Sequence, residues 1–396
     1  MEFRIASQPD RRVVLLFLTF AFTSLMMLFS FTSILAGLKS DLGLSNTQFG
    51  LLLSAFSITF AIAQIPAGVL SDKYGGKKVA SGGVSVMAIA ALLFSFSSSF
   101  DTALIFRCVA GFTGGLILPS AVRLLSDWYP PKERSMAMGT FGLGQGLGFV
   151  VTYEVGSIVV EYFGWRMGSL FSGALASFAA VLTWMFVKDI AKPAELEGHL
   201  AKPVTQRSST LVLLLLIALN FSALSVLSGV LQFTPQFLML RFGVSTIAGG
   251  FVTSLVGITN ILAAYLGGLT SRRIGEDKVI IASMLLCTLL PLFLGFGYSI
   301  GIALTAVALV GFATMFYFGP TFAGVPRAVG ERRAGTMFGV FNAISFGASA
   351  LSPLILGYIL DSTREYELAF ASLSIIAIIG LGSAVQLNRI RFFAGN

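Results

Sequence analysis

Long apolar stretches separated by short polar loops make up most of this chain. Each stretch is about 20 residues or longer, which is enough for a helix to cross the hydrocarbon of a bilayer. The pattern therefore predicts an all-α bundle of twelve membrane spans, numbered 1 to 12, at residues 13–37, 47–70, 78–99, 102–124, 136–160, 166–188, 210–235, 245–269, 278–297, 301–323, 335–359 and 367–387. Span 1 is longer than the apolar core of a signal peptide, so we expect it to be retained.

One long polar stretch interrupts this series between spans 6 and 7. It contains two Lys-Pro pairs and His199, the only histidine of the chain. Such a composition is typical of a flexible linker. We therefore predict a six-helix N-terminal bundle at 1–188, a cytoplasmic linker at 189–208 and a six-helix C-terminal bundle at 209–396.

The second half of the chain repeats short stretches of the first at an offset of 200 residues. The repeated stretches include Gly43-Leu44-Ser45 with Gly243-Val244-Ser245, and Gly111-Phe112-Thr113 with Gly311-Phe312-Ala313. Each half contains an even number of spans, so the two halves keep the same orientation in the membrane. The repeat predicts two pseudosymmetric bundles with a cavity between them. Within it, Ser45 and Gln48 have the spacing of a capping box at the start of span 2.

The most distinctive repeated stretch is the loop between spans 2 and 3. Its sequence is Gly68-Val69-Leu70-Ser71-Asp72-Lys73-Tyr74-Gly75-Gly76-Lys77-Lys78, and a degraded copy runs from Gly268 to Lys278. Short loops rich in lysine stay on the cytoplasmic side of a membrane. We therefore place this loop in the cytoplasm.

The loop 2–3 sequence resembles the signature of the major facilitator superfamily, and the resemblance covers essentially the whole chain. It implies secondary active transport by alternating access, with one substrate site near the midplane between the halves. It also implies a gating role that stabilises the outward-facing state, for Gly68, Asp72, Lys73, Gly75 and Lys77.

In the family, the aspartate of this loop faces the start of span 11, where a helix N-terminus attracts an anion. The alternative is a turn that only keeps the orientation of the chain. Gly76 departs from the family pattern, which usually has a basic residue at that position.

Composition agrees with a membrane protein. The chain is 56% hydrophobic and 11% charged, whereas a soluble domain carries about 25% charge. The net charge of +8 could indicate a nucleic-acid partner, but the basic residues are concentrated in loops predicted to be cytoplasmic. That asymmetry is typical of a multi-pass protein of the plasma or inner membrane, here with both termini in the cytoplasm. We expect a monomer in the lipid bilayer, without a nucleic-acid partner.

Residues for enzymatic chemistry are scarce. Cys108 and Cys287 lie in apolar segments and are interpreted as small buried side chains. No nucleophile–base pair, metal cluster or nucleotide loop is visible in the sequence, so we expect neither an enzyme nor a cofactor. The glycine-rich stretch of span 5 lacks the preceding strand of a phosphate loop and indicates close helix packing instead.

Arg107 in span 4 is the strongest candidate for a residue that contacts the substrate. It lies about 9 Å outside the midplane at 1.5 Å per residue. A charge at membrane depth costs at least about 2.5–3.5 kcal/mol and usually marks a transport pathway. Its spacing to Gly111 and Gly115 resembles the fourth-helix pattern of several facilitator subfamilies, including organic-anion symporters. The alternative is a structural arginine that is paired internally or reaches the interface.

Glu154 in span 5 is the only acidic residue predicted deep in a span. Its depth is nearly that of Arg107, so we consider a pair of the two charges that substrate or a proton loosens. The alternative is a glutamate close enough to the outer interface to reach water.

Uncharged polar residues complete the predicted substrate site: Asn220, Gln232 and Gln236 on or just beyond span 7, and Tyr317 in span 10. Each could equally form a hydrogen bond between helices. The buried arginine favours a small organic anion as substrate, with a proton or cation as coupling ion. One alternative is efflux of amphipathic compounds, although span 5 lacks the proline of the drug-antiporter motif. A second alternative, of another class, is a membrane sensor or scaffold that transports nothing.

Overall fold

A computed structural model describes residues 32–128, 131–187, 210–329, 340–347 and 350–393. Within these ranges ten helices are long and apolar enough to cross a membrane, and no β-strand occurs. They correspond to predicted spans 2 to 12, with spans 5 and 6 counted together because they follow each other directly at Gly164, whose φ of 80° and ψ of 170° interrupt the helix. Most of span 1 and the whole predicted linker lie outside the described residues.

The helix bounds follow the predicted spans and usually extend beyond them. They are Thr32–Leu42 (end of span 1), Asn46–Tyr74 (2), Gly76–Phe94 (3), Phe100–Trp128 (4), Pro131–Phe186 (5 and 6), Thr210–Phe242 (7), Thr246–Ile274 (8), Glu276–Gly295 (9), Ile300–Phe316 and Phe318–Val329 (10), 340–347 and Leu351–Thr363 (11), and Tyr366–Arg389 (12).

Spans 2 and 8 begin with equivalent N-caps. The Ser45 hydroxyl accepts a hydrogen bond from the Gln48 backbone at 3.1 Å, and the Gln48 side chain accepts one from the Ser45 backbone at 3.0 Å. The predicted capping box is therefore confirmed. In the second half, Ser245 accepts a hydrogen bond from the Ala248 backbone at 3.3 Å.

Glycines form the turns at both ends of these two helices. Gly43 and Gly243 have φ angles of 63° and 65°, and Gly75 and Gly275 have φ angles of 89° and 103°. Glycine reaches this region without the steric cost that a Cβ atom brings. The offset of 200 residues in the sequence thus corresponds to equivalent backbone turns.

Span 10 breaks in its middle, at Tyr317. The helix that begins at Ile300 ends at Phe316, and a new helix begins at Phe318. Pro320 explains the break, because proline lacks an N–H and its ring clashes with the carbonyl four residues earlier, which is that of Phe316. In span 4, by contrast, Pro119 lies within an unbroken helix.

The two halves of the chain meet at the end of the bundle where the predicted outer loops lie, which we call the predicted outer face. Spans 2 and 11 approach there until their backbones touch. A Cβ atom on Gly50 would lie 2.4 Å from the Pro353 carbonyl oxygen, and one on Gly357 would lie 2.3 Å from that of Asn46. Contacts this short leave room only for glycine, so the halves are closed against each other at this face.

Candidate substrate site and gates

Arg107 is held within the first half of the chain. Its side chain is 1% exposed, and its Nε donates a hydrogen bond to the Leu52 carbonyl at 2.9 Å. The guanidinium lies 4.9 Å from the centre of the Phe56 ring. Spans 2 and 4 thus orient one planar cation inside the membrane.

Two glycines on the same helix allow this arrangement. A Cβ atom on Gly111 would lie 2.2 Å from the Thr59 hydroxyl and 2.3 Å from the Phe56 carbonyl, and one on Gly115 would lie 2.2 Å from the Phe60 carbonyl. The helix that approaches span 4 closely at these glycines is span 2. This approach brings the Leu52 carbonyl within reach of Arg107.

Glu154 contacts the second half of the chain. Its Oε1 accepts a hydrogen bond from the Ser254 hydroxyl of span 8 at 2.6 Å. One helical turn away, a Cβ atom on Gly250 would lie 1.7 Å from the Ser157 hydroxyl, so the two helices touch. Among the described residues no ion pair joins Glu154 to Arg107. In this conformation Glu154 is part of the closed contact between the halves.

Asn220 and Tyr317, predicted separately from the sequence, are hydrogen-bonded to each other. The Tyr317 hydroxyl donates to Asn220 Oδ1 at 2.6 Å, and both residues are 1% exposed. Asn220 Nδ2 has no acceptor within the described part of the chain. A buried donor without an acceptor costs about 1–3 kcal/mol, so Nδ2 is suited to receive an acceptor from a ligand.

The two glutamines of span 7 lie in different parts of the structure. Gln232 donates a hydrogen bond to the Ser228 hydroxyl at 2.6 Å, and its buried Oε1 has no donor among the described residues. Gln236 lies one turn further out and lines a cavity at the predicted outer face. Gln236 therefore belongs to a different place from the deeper polar groups.

The predicted site residues lie at two depths, measured from the middle of their helices at 1.5 Å per residue. The level about 10 Å towards the predicted outer face holds Arg107, Glu154 and Gln232. The Asn220–Tyr317 pair lies on the other side of the middle.

The loop between spans 2 and 3 is tied to span 4. The Gly75 backbone donates to the Ser71 carbonyl at 3.0 Å, and the Ser71 hydroxyl lies 2.6 Å from that of Ser120. A Cβ atom on Gly76 would lie 2.9 Å from a carbon of Leu124. The departure from the family pattern at Gly76 thus has a steric cause, because span 4 fills the space of a side chain.

Two other members of the predicted gate, Gly68 and Lys73, are exposed. Lys73 is exposed, with its Nζ 5.2 Å from the centre of the Tyr74 ring, and a Cβ atom on Gly68 would meet nothing within 4 Å. Lys77 is half-buried. The side chain of Asp72 and the start of span 11 lie outside what the structure describes, so their contact stays a prediction.

A second gate carboxylate, Asp361, was not predicted from the sequence. Its two oxygens accept hydrogen bonds from the backbone of Asn46 at 2.8 Å and of Thr47 at 2.6 Å, and from the Thr47 hydroxyl at 2.5 Å. An anion at a helix N-terminus is favourable because unpaired N–H groups point towards it. Asp361 follows the predicted end of span 11, and no local pattern indicates a partner more than 300 residues away.

Two similar halves of apolar helices, closed against each other at one face and each holding a few buried polar groups, define a secondary-transporter architecture. A family model described as Major Facilitator Superfamily matches residues 15–353 and 250–388. The chain belongs to this superfamily and is a multi-pass membrane protein with its twelve-helix fold.

Individual transporters are similar to this chain over nearly its full length. The hexuronate transporter of Bacillus subtilis is 25% identical, with 89% of this chain and 88% of that protein covered. The probable sulfoacetate transporter of Cupriavidus necator is 27% identical, with coverage of 88% and 86%. The probable L-galactonate transporter of Escherichia coli is 23% identical, with coverage of 89% and 83%.

Solved structures share the fold. A bacterial homolog of the human lysosomal transporter Spinster, in an inward-facing and occupied conformation, superposes with a TM-score of 0.81 at 18% identity, covering 98% of this chain and 99% of that one. The D-xylose–proton symporter superposes with a TM-score of 0.78 at 15% identity, covering 95% and 96%.

Proposed function

We propose that this protein is a secondary active transporter that moves a small organic anion across the plasma or inner membrane by alternating access. The observation that carries this proposal is the buried, oriented guanidinium of Arg107. The names of three relatives support it, because hexuronate, sulfoacetate and galactonate are all organic anions.

Arg107 would bind the anionic group of the substrate. A guanidinium presents its N–H donors in a planar fork that matches a carboxylate or a sulfonate. From the second half, the free Nδ2 of Asn220 and the free Oε1 of Gln232 would bind hydroxyl groups. A substrate with an acid group at one end and hydroxyls at the other would then contact both halves at once.

Alternating access would exchange two sets of contacts. The described conformation is closed at the predicted outer face, where Glu154 bonds to Ser254 and span 2 touches span 11. We propose that the loop from Gly68 to Lys77 closes the opposite face when Asp72 reaches the start of span 11. We propose that the coupling proton or cation acts at the contact between Glu154 and Ser254, because this contact joins the two halves.

In the proposed arrangement the protein is a monomer. Residues 1–188 and 209–396 form two bundles that move relative to each other, the linker at 189–208 joins them in the cytoplasm, and both termini are cytoplasmic. The uneven distribution of lysine and arginine supports this orientation.

The test uses purified protein in liposomes with D-glucuronate, L-galactonate and sulfoacetate as labelled probes. Compared variants are Arg107→Lys, Arg107→Gln, Glu154→Gln and the double neutral variant, with Arg389→Gln as a control that removes an exposed charge. Each of these side chains also forms a hydrogen bond that the substitution could disturb, so folding is checked by thermal unfolding. Arg107→Lys should fold and lose most uptake, because an ammonium lacks the planar fork.

The outcomes separate the alternatives. Normal uptake by the double neutral variant would make both charges structural and remove the support for an organic anion. Binding without flux for every probe would indicate a sensor, and flux of amphipathic cations instead of acids would indicate an exporter.

A further inference from the structure

A cavity of about 370 Å³ opens at the predicted outer face, directly above the contact between spans 2 and 11. It is separate from the proposed substrate site, because neither Arg107 nor Glu154 lines it. Its polar and aromatic lining comes from the ends of spans 1, 2, 7, 11 and 12, and includes Lys39, Asn46, Gln236, Asp361, Arg364 and Tyr366.

This cavity gathers basic residues that are rare at this face. The predicted topology puts four there, namely Lys39, Arg166, Arg241 and Arg364. Two of them form exposed ion pairs outside the cavity, Arg166 with Asp41 at 2.5 Å and Arg241 with Glu367 at 3.2 Å. The other two, Lys39 and Arg364, line the same cavity. Basic residues are disfavoured in outer loops, so their meeting in one cavity indicates a use.

The positive charge of the cavity is not fully balanced. Asp361 is the only carboxylate of its lining, and three donors of Asn46 and Thr47 already bond to its oxygens. Within the described residues, Arg364 forms no hydrogen bond or ion pair through its side chain. Lys39 donates to the Asn46 side chain and lies 5.6 Å from the centre of the Phe49 ring.

The negative charge around Lys39 also falls short of balancing its ammonium group. Burial lowers the pKa of Lys39 below its ordinary value, and the attraction of Asp361 opposes this effect only in part. An additional anion beside the ammonium would raise the pKa again, because an opposite charge favours the protonated form.

Arg364 occupies a backbone conformation that is unusual for an arginine. It ends the helix Leu351–Thr363 at φ 60° and ψ 17°, with its N–H bonded to the Leu360 carbonyl at 3.0 Å. Glycine adopts this left-handed conformation at less cost than any residue with a Cβ atom. Strained positions of this kind cluster where the side chain is needed for binding or switching.

We propose that this cavity is a second binding site for organic anions, in which the acid group of the solute lies between Lys39 and Arg364. The Oε1 of Gln236, which has no donor among the described residues, accepts a hydroxyl of the same solute. The site captures the anion while the outer gate is still closed. An anion here also competes with Asp361 for the attraction of Lys39, which favours opening of the contact below. The choice of an organic acid rests on the proposed function, whereas the positive potential does not.

The positive electrostatic potential of the cavity can be measured without a transport assay. Leu240 lines the cavity and is 70% exposed, so Leu240→Cys places a reactive thiol there. Cys108→Ser and Cys287→Ser provide a background without other thiols. Cells are treated with an anionic (sulfonatoethyl) or a cationic (trimethylammonioethyl) methanethiosulfonate of similar size. Tyr298→Cys, which is 88% exposed in the loop between spans 9 and 10, is the control thiol away from the cavity.

We expect the anionic reagent to be favoured at Leu240→Cys relative to the control. Replacing Lys39 and Arg364 together by glutamine should lower the ratio of anionic to cationic rates by at least about five-fold, as Coulomb interactions over roughly 8 Å in water imply. Arg166→Gln is the matched control, because it removes a charge of the same face that is paired with Asp41 and does not line the cavity. A ratio that responds equally to Arg166→Gln, or not at all to the double change, would overturn the site.

Occupancy is tested with D-glucuronate as a protecting ligand. Millimolar D-glucuronate should slow modification of Leu240→Cys, and the protection should disappear in the Lys39→Gln/Arg364→Gln variant while it survives in Arg107→Gln. Equal protection by inorganic sulfate would refute the organic class of the ligand. Loss of protection in Arg107→Gln would refute an independent outer site. Failure of uptake with intact protection would instead refute the proposed transport function.

Discussion

Asp361 and Thr47 are 314 residues apart in the sequence, yet one carboxylate oxygen of Asp361 accepts hydrogen bonds from both the backbone and the hydroxyl of Thr47. The contact joins the end of span 11 to the start of span 2 at the predicted outer face. The family resemblance assigns the reverse contact, from span 2 to the start of span 11, to Asp72 at the opposite face. Two carboxylates would thus cap helices of the opposite half in alternation.

Asp361→Asn should weaken the closed contact at the predicted outer face. The amide keeps the shape, but it loses the charge that attracts the helix N-terminus, and hydrogen bonds to charged groups contribute about 1.5–3 kcal/mol. The buried Ser54, which donates to the Ala350 carbonyl at 2.5 Å, provides a reporter. External labelling of Ser54→Cys should accelerate by at least about ten-fold, whereas the exposed Asp101→Asn should leave it unchanged. Equal labelling in the Asp361 variant would show that this contact does not hold the gate.

Asp72→Asn should shift the balance in the opposite direction. If Asp72 stabilises the conformation that is open at the predicted outer face, its loss favours the conformation closed there. The same Ser54→Cys reporter should therefore react more slowly in Asp72→Asn, while uptake falls and the protein stays folded. Unchanged labelling together with normal uptake would remove the gating role of the loop.

Gly111→Ala should destabilise the packing around Arg107. The added methyl group would lie 2.2 Å from the Thr59 hydroxyl and 2.3 Å from the Phe56 carbonyl, which forces spans 2 and 4 apart. Overpacking of this kind costs about 1–3 kcal/mol. Thermal unfolding in detergent should show the loss, and Gly114→Ala, whose methyl group would lie 3.4 Å from its nearest neighbours, is the matched control. Similar melting temperatures for both variants would contradict the contact.

Tyr317→Phe should leave the Asn220 carbonyl oxygen without its donor and destabilise the protein by about 1–3 kcal/mol. Adding Asn220→Leu removes the buried amide as well, so the double variant should recover part of the stability. A double-mutant cycle of thermal unfolding measures the coupling between the two residues. Additive losses would mean that the hydrogen bond contributes nothing to stability.

Local features of the sequence determined the elements of this fold. The length of each apolar run predicts a span, because only a helix satisfies every backbone group in lipid. Ser45 with Gln48 determined the start of span 2, and Pro320 accounts for the break in span 10 at Tyr317. These features depend on residues within one helical turn, so the sequence alone indicates them.

Only the tertiary structure decided which groups meet. Arg107 is recognisable as a buried charge, but its bond to the Leu52 carbonyl depends on how deeply Gly111 lets span 2 approach. Glu154 meets Ser254, and Gln236 joins an outer cavity, because two halves of the chain close at one face. Helices in lipid are nearly interchangeable in hydrophobicity, so their pairing depends on the shapes of small residues far apart in the chain. No local pattern records such pairings.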